Sequence, residues 1–563
     1  MSDSSYTGAD LFVDALERYG VTHVFGNPGT TELPLLTALA DADLEYVLAL
    51  HEDVAVGAAA GYASTRRYHA HGDPDVLPVG VVNLHIAPGL AHGLGNLYGA
   101  SVAGAPLVVT AGNHSTDFRH EEPILSGDLV SMAEPFCKWS DEVLDVRALP
   151  TMLRRAFRVA LTPPTGPVFL SLPLDVTTAE TDAEPEPLGP IPTAGRGDSE
   201  QIDRAADLLV EADDPVLVVG DGVARSGRDA VAAAVDLAEA AGLRVHGEIM
   251  ASEVDFPTDH DQWVSYVPPD EDLAATIMDA DALLFAGCST NTTLTRHDDP
   301  IVPPDATRIH VSDDAWEVGK NHPADAAVLG DPGAVLADLA GRVADRLPDA
   351  ERERRLKRVK SAKEAADERL AAVGTGDEND PRASKAELVD AIRSAAPDAY
   401  VVDEGVTSRF ALVTRWPMEA EGLISNKGGG LGYGLPASVG AAIAEGQRDD
   451  PRDVIGFVGD GSYLYYPHAL YTAARYDADL TVVIPDNRNY RILKDNTLSL
   501  LGGDEDDYEF VGMDFEPPVD VPANAESHGA RGRLIESPEE IEGAVREALS
   551  RPGPDVLDVL VHD

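Results

Sequence analysis

The sequence predicts an α/β protein of three doubly wound parallel-sheet domains, and three observations carry that reading. At 563 residues the chain exceeds a single hydrophobic core, and at roughly 100 to 200 residues per domain about three are expected. Helical stretches alternate with short apolar strands in three blocks, the pattern of buried parallel strands joined by crossover helices. Between the blocks lie an acidic, proline-rich segment and a long charged run, neither apolar enough to build a core.

The first block, 1–180, sets helical GADLFVDALERYG beside the strands VTHVFG, VLPVGVVNL, APLVVTAG and PVFLSLP. Residues 177–200, TTAETDAEPEPLGPIPTAGRGDSE, form the first linker. The second block, 195–345, offers DPVLVVGDG, LRVHGE, ADALLFAG, TRIHVSDD and AAVLGD as strands. The charged stretch that follows, from DRLPDAERERRLKRV onward, predicts a solvated helix leading to a second linker. The third block, 380–563, opens with helical KAELVDAIRSAA and continues through AYVVDEG, DVIGFVGDG, LTVVIPDN and PDVLDVLVHD. Ligands on such sheets bind beyond the carboxyl ends of the strands.

Charge and cysteine usage exclude several classes of function. With 98 acidic against 43 basic residues the net charge is −55, which repels nucleic acid. The acidic residues are spread along the whole chain, as on a surface adapted to high salt, where repulsion is screened. Two isolated cysteines, Cys137 and Cys288, give neither a disulfide framework nor a zinc spacing. The amino-terminal stretch is acidic, and no run approaches about 18 uninterrupted apolar residues, so a cytoplasmic protein without membrane insertion is expected.

The chemistry concentrates in the third block. Strand DVIGFVGDG ends in Gly459-Asp460-Gly461-Ser462, and the next strand ends in Asp486-Asn487. Glycines let backbone approach a diphosphate, and Asp460 with the side-chain oxygen of Asn487 offers hard ligands for Mg²⁺. The backbone carbonyl of Asn489, phosphate oxygens and water would complete six oxygens. A control lies in the second block, where Gly220-Asp221-Gly222 also follows a strand but has Glu248 at the matching distance instead of Asn; it reads as a structural turn.

The segment GDGSYLYYPHALYTAARYDADLTVVIPDN resembles the thiamine diphosphate (ThDP) motif of the pyruvate decarboxylase and acetolactate synthase superfamily. That resemblance covers nearly the whole chain and implies an aminopyrimidine-binding first domain, a central domain and a diphosphate-binding last domain. Glu52, in LALHEDVAVGAAAGYA, stands where the family places the glutamate beside N1′ of the aminopyrimidine. Within the superfamily the sequence is most similar to benzoylformate decarboxylase-like enzymes: FGNPGTTELP puts Thr30 at a substrate-contacting serine, and Asn83-Leu84-His85 matches a catalytic histidine. KGGGLGYGLP resembles the loop that bends the cofactor, with Gly430 beside it and Leu431 beneath the bend; Thr407 in DEGVT is a further candidate for the diphosphate. The cofactor-binding set is thus Glu52, Thr407, Gly430, Leu431, Gly459, Asp460, Gly461, Ser462 and Asn487.

The resemblance implies ThDP- and Mg²⁺-dependent decarboxylation of a 2-oxo acid through a ylide and an enamine, releasing CO₂ and an aldehyde. Acetolactate synthase-like joining of two 2-oxo acids is the alternative, and a non-catalytic ThDP-fold binding protein a remote one. The pattern also asks for a histidine from the central domain; an ungapped reading puts Leu294 there, with His297 three residues on. The central segment GCSTNTTLTRHDDP lacks the flavin-binding synthase pattern, so FAD is not expected. Sites between two subunits of a homodimer or homotetramer are implied as well.

Overall fold

The computed structural model describes residues 5–289, 299–376 and 379–562. It contains three six-stranded sheets in which the paired strands run parallel with helices between them, as the alternation predicts. In the first, β1 (His23–Gly26), β2 (Glu45–Leu48), β3 (Gly80–Leu84), β4 (Leu107–Asn113), β5 (Ser140–Glu142) and β6 (Val168–Pro173) lie in the order β2-β1-β3-β4-β6-β5. The second holds β7 (Pro215–Val219), β8 (Arg244–Gly247), β9 (Trp263–Tyr266), β10 (Ala282–Ala286), β11 (Thr307–Ser312) and β12 (Ala326–Leu329), ordered β12-β11-β10-β7-β8-β9. The third holds β13 (Tyr400–Glu404), β14 (Leu423–Ser425), β15 (Val454–Val458), β16 (Thr481–Asp486), β17 (Arg531–Ile535) and β18 (Asp555–Leu560), ordered β14-β13-β15-β16-β18-β17.

The first and third sheets share one topology, with strand order reversing beside β1 and β13; the second reverses between β10 and β7. Such switch points open a crevice at the strand carboxyl ends. Central strands such as β3, β4, β6, β7 and β15 are buried at every position, which is why they read as unbroken apolar runs and not as alternation.

The chain divides into two compact units: Met1–Pro192 with Thr375–Arg409 and Asn426–Asp563, and Thr193–Gly374 with Phe410–Ser425. In the first, the helix Glu52–Gly72 crosses the helix Gly434–Glu445. Both are buried nearly all round and rich in Ala and Gly, as a helix inside a core requires. The crossing depends on missing side chains: a Cβ at Gly61 would collide with the Ala437 carbonyl, one at Gly440 with the Ala58 carbonyl, and one at Gly57 would lie 2.9 Å from Pro436.

In the second unit the charged run forms the helix Asp349–Leu370, but it is not solvated throughout. Arg355 is 1% exposed and donates to the carbonyls of Ala241, Val210 and Ala212 at 2.9, 3.0 and 2.6 Å, pinning the helix to the carboxyl ends of the helices Arg228–Ala241 and Ser199–Glu211. Among the described residues no helix is long and apolar enough to cross a membrane.

Alanine exceeds glycine in helix propensity by about 1 kcal/mol. Because a Cβ at Gly440 meets the Ala58 carbonyl, Gly440→Ala nevertheless destabilises the protein by about 1 to 3 kcal/mol through overpacking, measured by urea unfolding. A gain in stability would show that the two backbones have room between them.

Candidate active site

Each predicted site residue except those of the central domain falls at a strand carboxyl end: Thr30 after β1, Glu52 after β2, His85 after β3, Thr407 after β13, Gly459 after β15 and Asn487 after β16. Leu294 and His297 lie outside the described residues. Three of these loops contain a non-glycine residue with positive φ: Ile86 at 45°, Val406 at 50° and Arg488 at 60°. Two are β-branched, for which that region is strained, and local strain of this kind clusters at functional sites.

His85 is held on one side by a buried acid that the sequence reading missed. Its Nδ1 lies 2.8 Å from Oε2 of Glu32, a residue with no exposed surface, and 3.3 Å from Oγ1 of Thr31. The other carboxylate oxygen accepts the Gly112 N–H at 3.0 Å and the Thr31 hydroxyl at 2.7 Å, so Glu32 is fixed from several directions. With Nδ1 committed to the acid, Nε2 is the ring nitrogen left for chemistry. Gly29 makes the arrangement fit, because a Cβ there would collide with the His85 ring. Thr30 is exposed at the start of the short turn Thr30–Glu32. The clue to Glu32 in the sequence is an acid that directly precedes the apolar run in TTELPLL.

Glu52 opens its helix, one residue after the cap His51, whose Nδ1 accepts the Asp53 N–H at 3.1 Å. Its side chain is 14% exposed and pairs with His92 Nδ1 at 3.1 Å. Asp53 points elsewhere, accepting the Asn96 N–H at 2.7 Å and the Tyr466 hydroxyl at 2.9 Å. Burial raises its pKa, and these donors partly offset the rise. The Tyr466 contact ties the segment after Gly459 to the residue beside Glu52.

In the third sheet Gly459 N–H donates to the Glu404 carbonyl at 3.1 Å, and Asp460–Tyr463 makes one short helical turn before Pro467 divides it from the helix Ala469–Arg475. Asp460 is 7% exposed; Oδ1 accepts the Gly461 N–H at 2.9 Å, while Oδ2 has no donor. Burial and the neighbouring carboxylate of Asp486 push the Asp460 pKa well above the ordinary range. Asp558 on β18 is raised for the same two reasons, and its Oδ1 is also buried without a donor. Ser462 Oγ is buried without a partner too. Asn487 stands at the end of β16, its Oδ1 3.3 Å from the Asn489 N–H, and its carbonyl accepts Asn489 Nδ2 at 2.7 Å. Gly461 lies against the Tyr490 ring, 2.6 Å from where its Cβ would be.

Of the three converging carboxylates only Asp486 has a cation beside it, Arg488 at 3.7 Å, and Asp460 and Asp558 each keep one oxygen without a donor, a set that a hard divalent cation would complete. The residues therefore fit Mg²⁺, with Ser462 and the glycines beside it for a phosphorylated ligand. The other GDG supplies the contrast. The Asp221 carboxylate accepts Ser252 N–H, Ser252 Oγ and Glu253 N–H at 2.7, 2.6 and 3.2 Å, and Glu248 accepts the Asp221 N–H at 3.0 Å and the Ser289 N–H at 2.8 Å. That turn is internally satisfied.

Glu404, at the end of β13, is the second acid not singled out. It accepts Asn426 Nδ2 at 2.6 Å and the backbone N–H groups of Gly432, Tyr433 and Gly434 at 3.3, 3.3 and 2.8 Å. One carboxylate thus fixes the glycine loop carrying exposed Gly430 and half-buried Leu431. Gly432, at φ 98°, turns the chain there. Thr407 is half-buried one residue beyond strained Val406.

Buried carboxylates converging at strand ends, a strained backbone around them and a fixed histidine–acid pair mark an enzyme site on a doubly wound α/β fold. Known proteins carry this further. Residues 6–132, 202–339 and 405–559 match the N-terminal TPP binding domain, the central domain and the C-terminal TPP binding domain of thiamine pyrophosphate enzymes. Benzoylformate decarboxylase of Pseudomonas aeruginosa is 31% identical over 557 residues, 97% of each chain. A probable acetolactate synthase large subunit of Methanocaldococcus jannaschii is 29% identical over 574 residues, 98% of this chain and 92% of its own. The solved ThDP-dependent 4-hydroxybenzoylformate decarboxylase of Rhodococcus jostii superposes with a TM-score of 0.84 at 30% identity, over 99% of both chains. The chain belongs to the thiamine diphosphate-dependent enzyme family, among its decarboxylases and acetolactate synthases.

Burial is the main cause of the raised pKa of Glu404, which moves from 4.5 to about 7; the donors around it oppose the shift. Its folded value exceeds its unfolded one, so its contribution to stability is complete below pH 4.5 and is lost as pH rises through about 7. The loss amounts to about 3 kcal/mol at order-of-magnitude level. Denaturant unfolding at pH 5 and pH 8 should show Glu404→Gln with a flatter pH dependence than wild type; equal slopes would contradict the burial of a titrating carboxyl.

Proposed function

We propose that the protein catalyses non-oxidative decarboxylation of a 2-oxo acid of the arylglyoxylate kind, releasing CO₂ and an aldehyde, with ThDP and Mg²⁺. The observation that carries this reading is the His85–Glu32 pair: aldehyde release needs a proton delivered to carbon, and a histidine oriented by a buried acid is built to deliver one. The similarity to enzymes titled benzoylformate and 4-hydroxybenzoylformate decarboxylase supports the substrate class. When bound, ThDP supplies a cationic ring that accepts the electron pair left by departing CO₂.

In this reading Asp460, the side chain of Asn487 and the carbonyl of Asn489 hold Mg²⁺, while Gly459, Gly461, Ser462 and Thr407 receive the diphosphate. Gly430 and Leu431 support the cofactor from the loop that Glu404 fixes. Glu52 hydrogen-bonds N1′ of the aminopyrimidine, and Thr30, exposed near the His85 turn, meets the substrate. FAD has no part. The active form is a homodimer or homotetramer with sites between subunits, working in a salt-rich cytoplasm in keeping with its net charge of −55.

Acetolactate synthase-like carboligation is the second reading, supported by the relative from Methanocaldococcus jannaschii. Incubation with benzoylformate and with pyruvate, in ThDP, Mg²⁺ and high salt, followed by product analysis, separates the two. Benzaldehyde is expected from benzoylformate; acetolactate from pyruvate with benzoylformate untouched would favour carboligation. In the same preparation Glu52→Gln should still bind ThDP but lose exchange of the thiazolium C2 proton, and exchange at the wild-type rate would remove Glu52 from its role.

A further inference from the structure

His51, Glu52 and His92 each bring a ligand atom within 4.8 Å of the other two. The His92 Nδ1 to Glu52 Oε2 distance is 3.1 Å, and the His51 and His92 rings are stacked with centroids 5.2 Å apart. The three residues are positioned by two separate elements. His51 caps the helix Glu52–Gly72 and Glu52 opens it, whereas His92 ends the short helix Ile86–His92. Because His51 uses Nδ1 to cap Asp53, its Nε2 is the nitrogen available to a ligand.

The neighbours leave these groups as the donors. Asp53, next in the chain, is committed to Asn96 and Tyr466. Tyr466 and His468 surround His51, with ring centroids 5.2 and 6.1 Å from its own. The cluster is open on one side, since the His92 side chain is 58% exposed against 14% for Glu52, which gives a cation a path in. Two imidazoles and a carboxylate with an open fourth position form a donor set for zinc-like ions. Mg²⁺ prefers oxygen alone and is better served at Asp460.

We propose that His51, Glu52 and His92 form a binding site for a borderline divalent cation such as Zn²⁺, and that its occupation antagonises the cofactor. The antagonism rests on the reading of Glu52 given above. A carboxylate bound to a dication is a weaker base, and therefore a poorer partner for N1′ of the aminopyrimidine. Zinc at this site would hold the enzyme inactive without displacing Mg²⁺ from Asp460.

The test titrates Zn²⁺ into the ThDP- and Mg²⁺-loaded enzyme with Mg²⁺ in excess, following heat by calorimetry and CO₂ release in parallel. His51→Asn and His92→Asn are carried through the same titration after circular dichroism has shown that they fold. One zinc per chain is expected in wild type, bound at least about tenfold more weakly in each variant, since loss even of a supporting residue costs a metal site that much. Turnover should fall over the concentration range in which zinc binds. Absence of zinc binding, or equal binding in all three proteins, would overturn the site. Zinc held through the histidines with turnover unchanged would overturn the antagonism and tell against the assigned role of Glu52, leaving the metal site standing.

Discussion

A buried carboxylate with an oxygen left without a donor is unstable as an anion, and the placement of Asp460 beside Asp486 and Asp558 makes that the governing constraint of the third sheet. Burial and mutual repulsion raise the pKa of Asp460 and Asp558, and one oxygen of each has no hydrogen-bond donor. Arg488, 3.7 Å from Asp486, answers part of that charge, and the remaining oxygens fit a cation. The same tripeptide in the central domain shows what the alternative looks like: Asp221 is saturated by Ser252 and Glu253, and Glu248 covers the turn. Two GDG turns after two strands differ in whether both oxygens of their acid have been supplied with donors.

Around that cluster, acids act as fasteners. Glu404 gathers three backbone N–H groups and Asn426, so that a glycine-rich loop with few side chains of its own takes one shape. Glu32 does the same for His85 through Gly112 and Thr31. Both sit on elements anchored by buried strands, which allows strained residues such as Ile86 and Val406 to persist between them. The glycine-lined crossing of Glu52–Gly72 with Gly434–Glu445 joins the first and third sheets in one unit.

The fold was legible because parallel strands buried on both faces appear as short apolar runs, and helices between them as longer amphipathic ones. The strand-end placement of Asp460 and Asn487 was legible because the spacing that joins them is local. Glu32 and Glu404 were not, since their importance comes from partners distant in sequence: Glu32 meets His85 and Gly112 across the sheet, and Glu404 meets a loop near residue 432. Asp558 reads as one more position in the last strand, and only the pairing of β16 with β18 brings it opposite Ile484, near Asp486. His92 carried no motif; its contact with Glu52 depends on the end of a different helix. Arg355 was hidden in a charged run whose average polarity concealed a single buried anchor.

The claim that the carboxylate cluster is organised around a cation is tested most directly by comparing the unfolding stability of the ThDP-free protein with and without Mg²⁺, in wild type and in Asp460→Asn. The account predicts that Mg²⁺ stabilises wild type, that Asp460→Asn is more stable than wild type when Mg²⁺ is withheld, and that the variant loses most of the Mg²⁺ response. A wild type indifferent to Mg²⁺, together with a variant less stable in its absence, would contradict it.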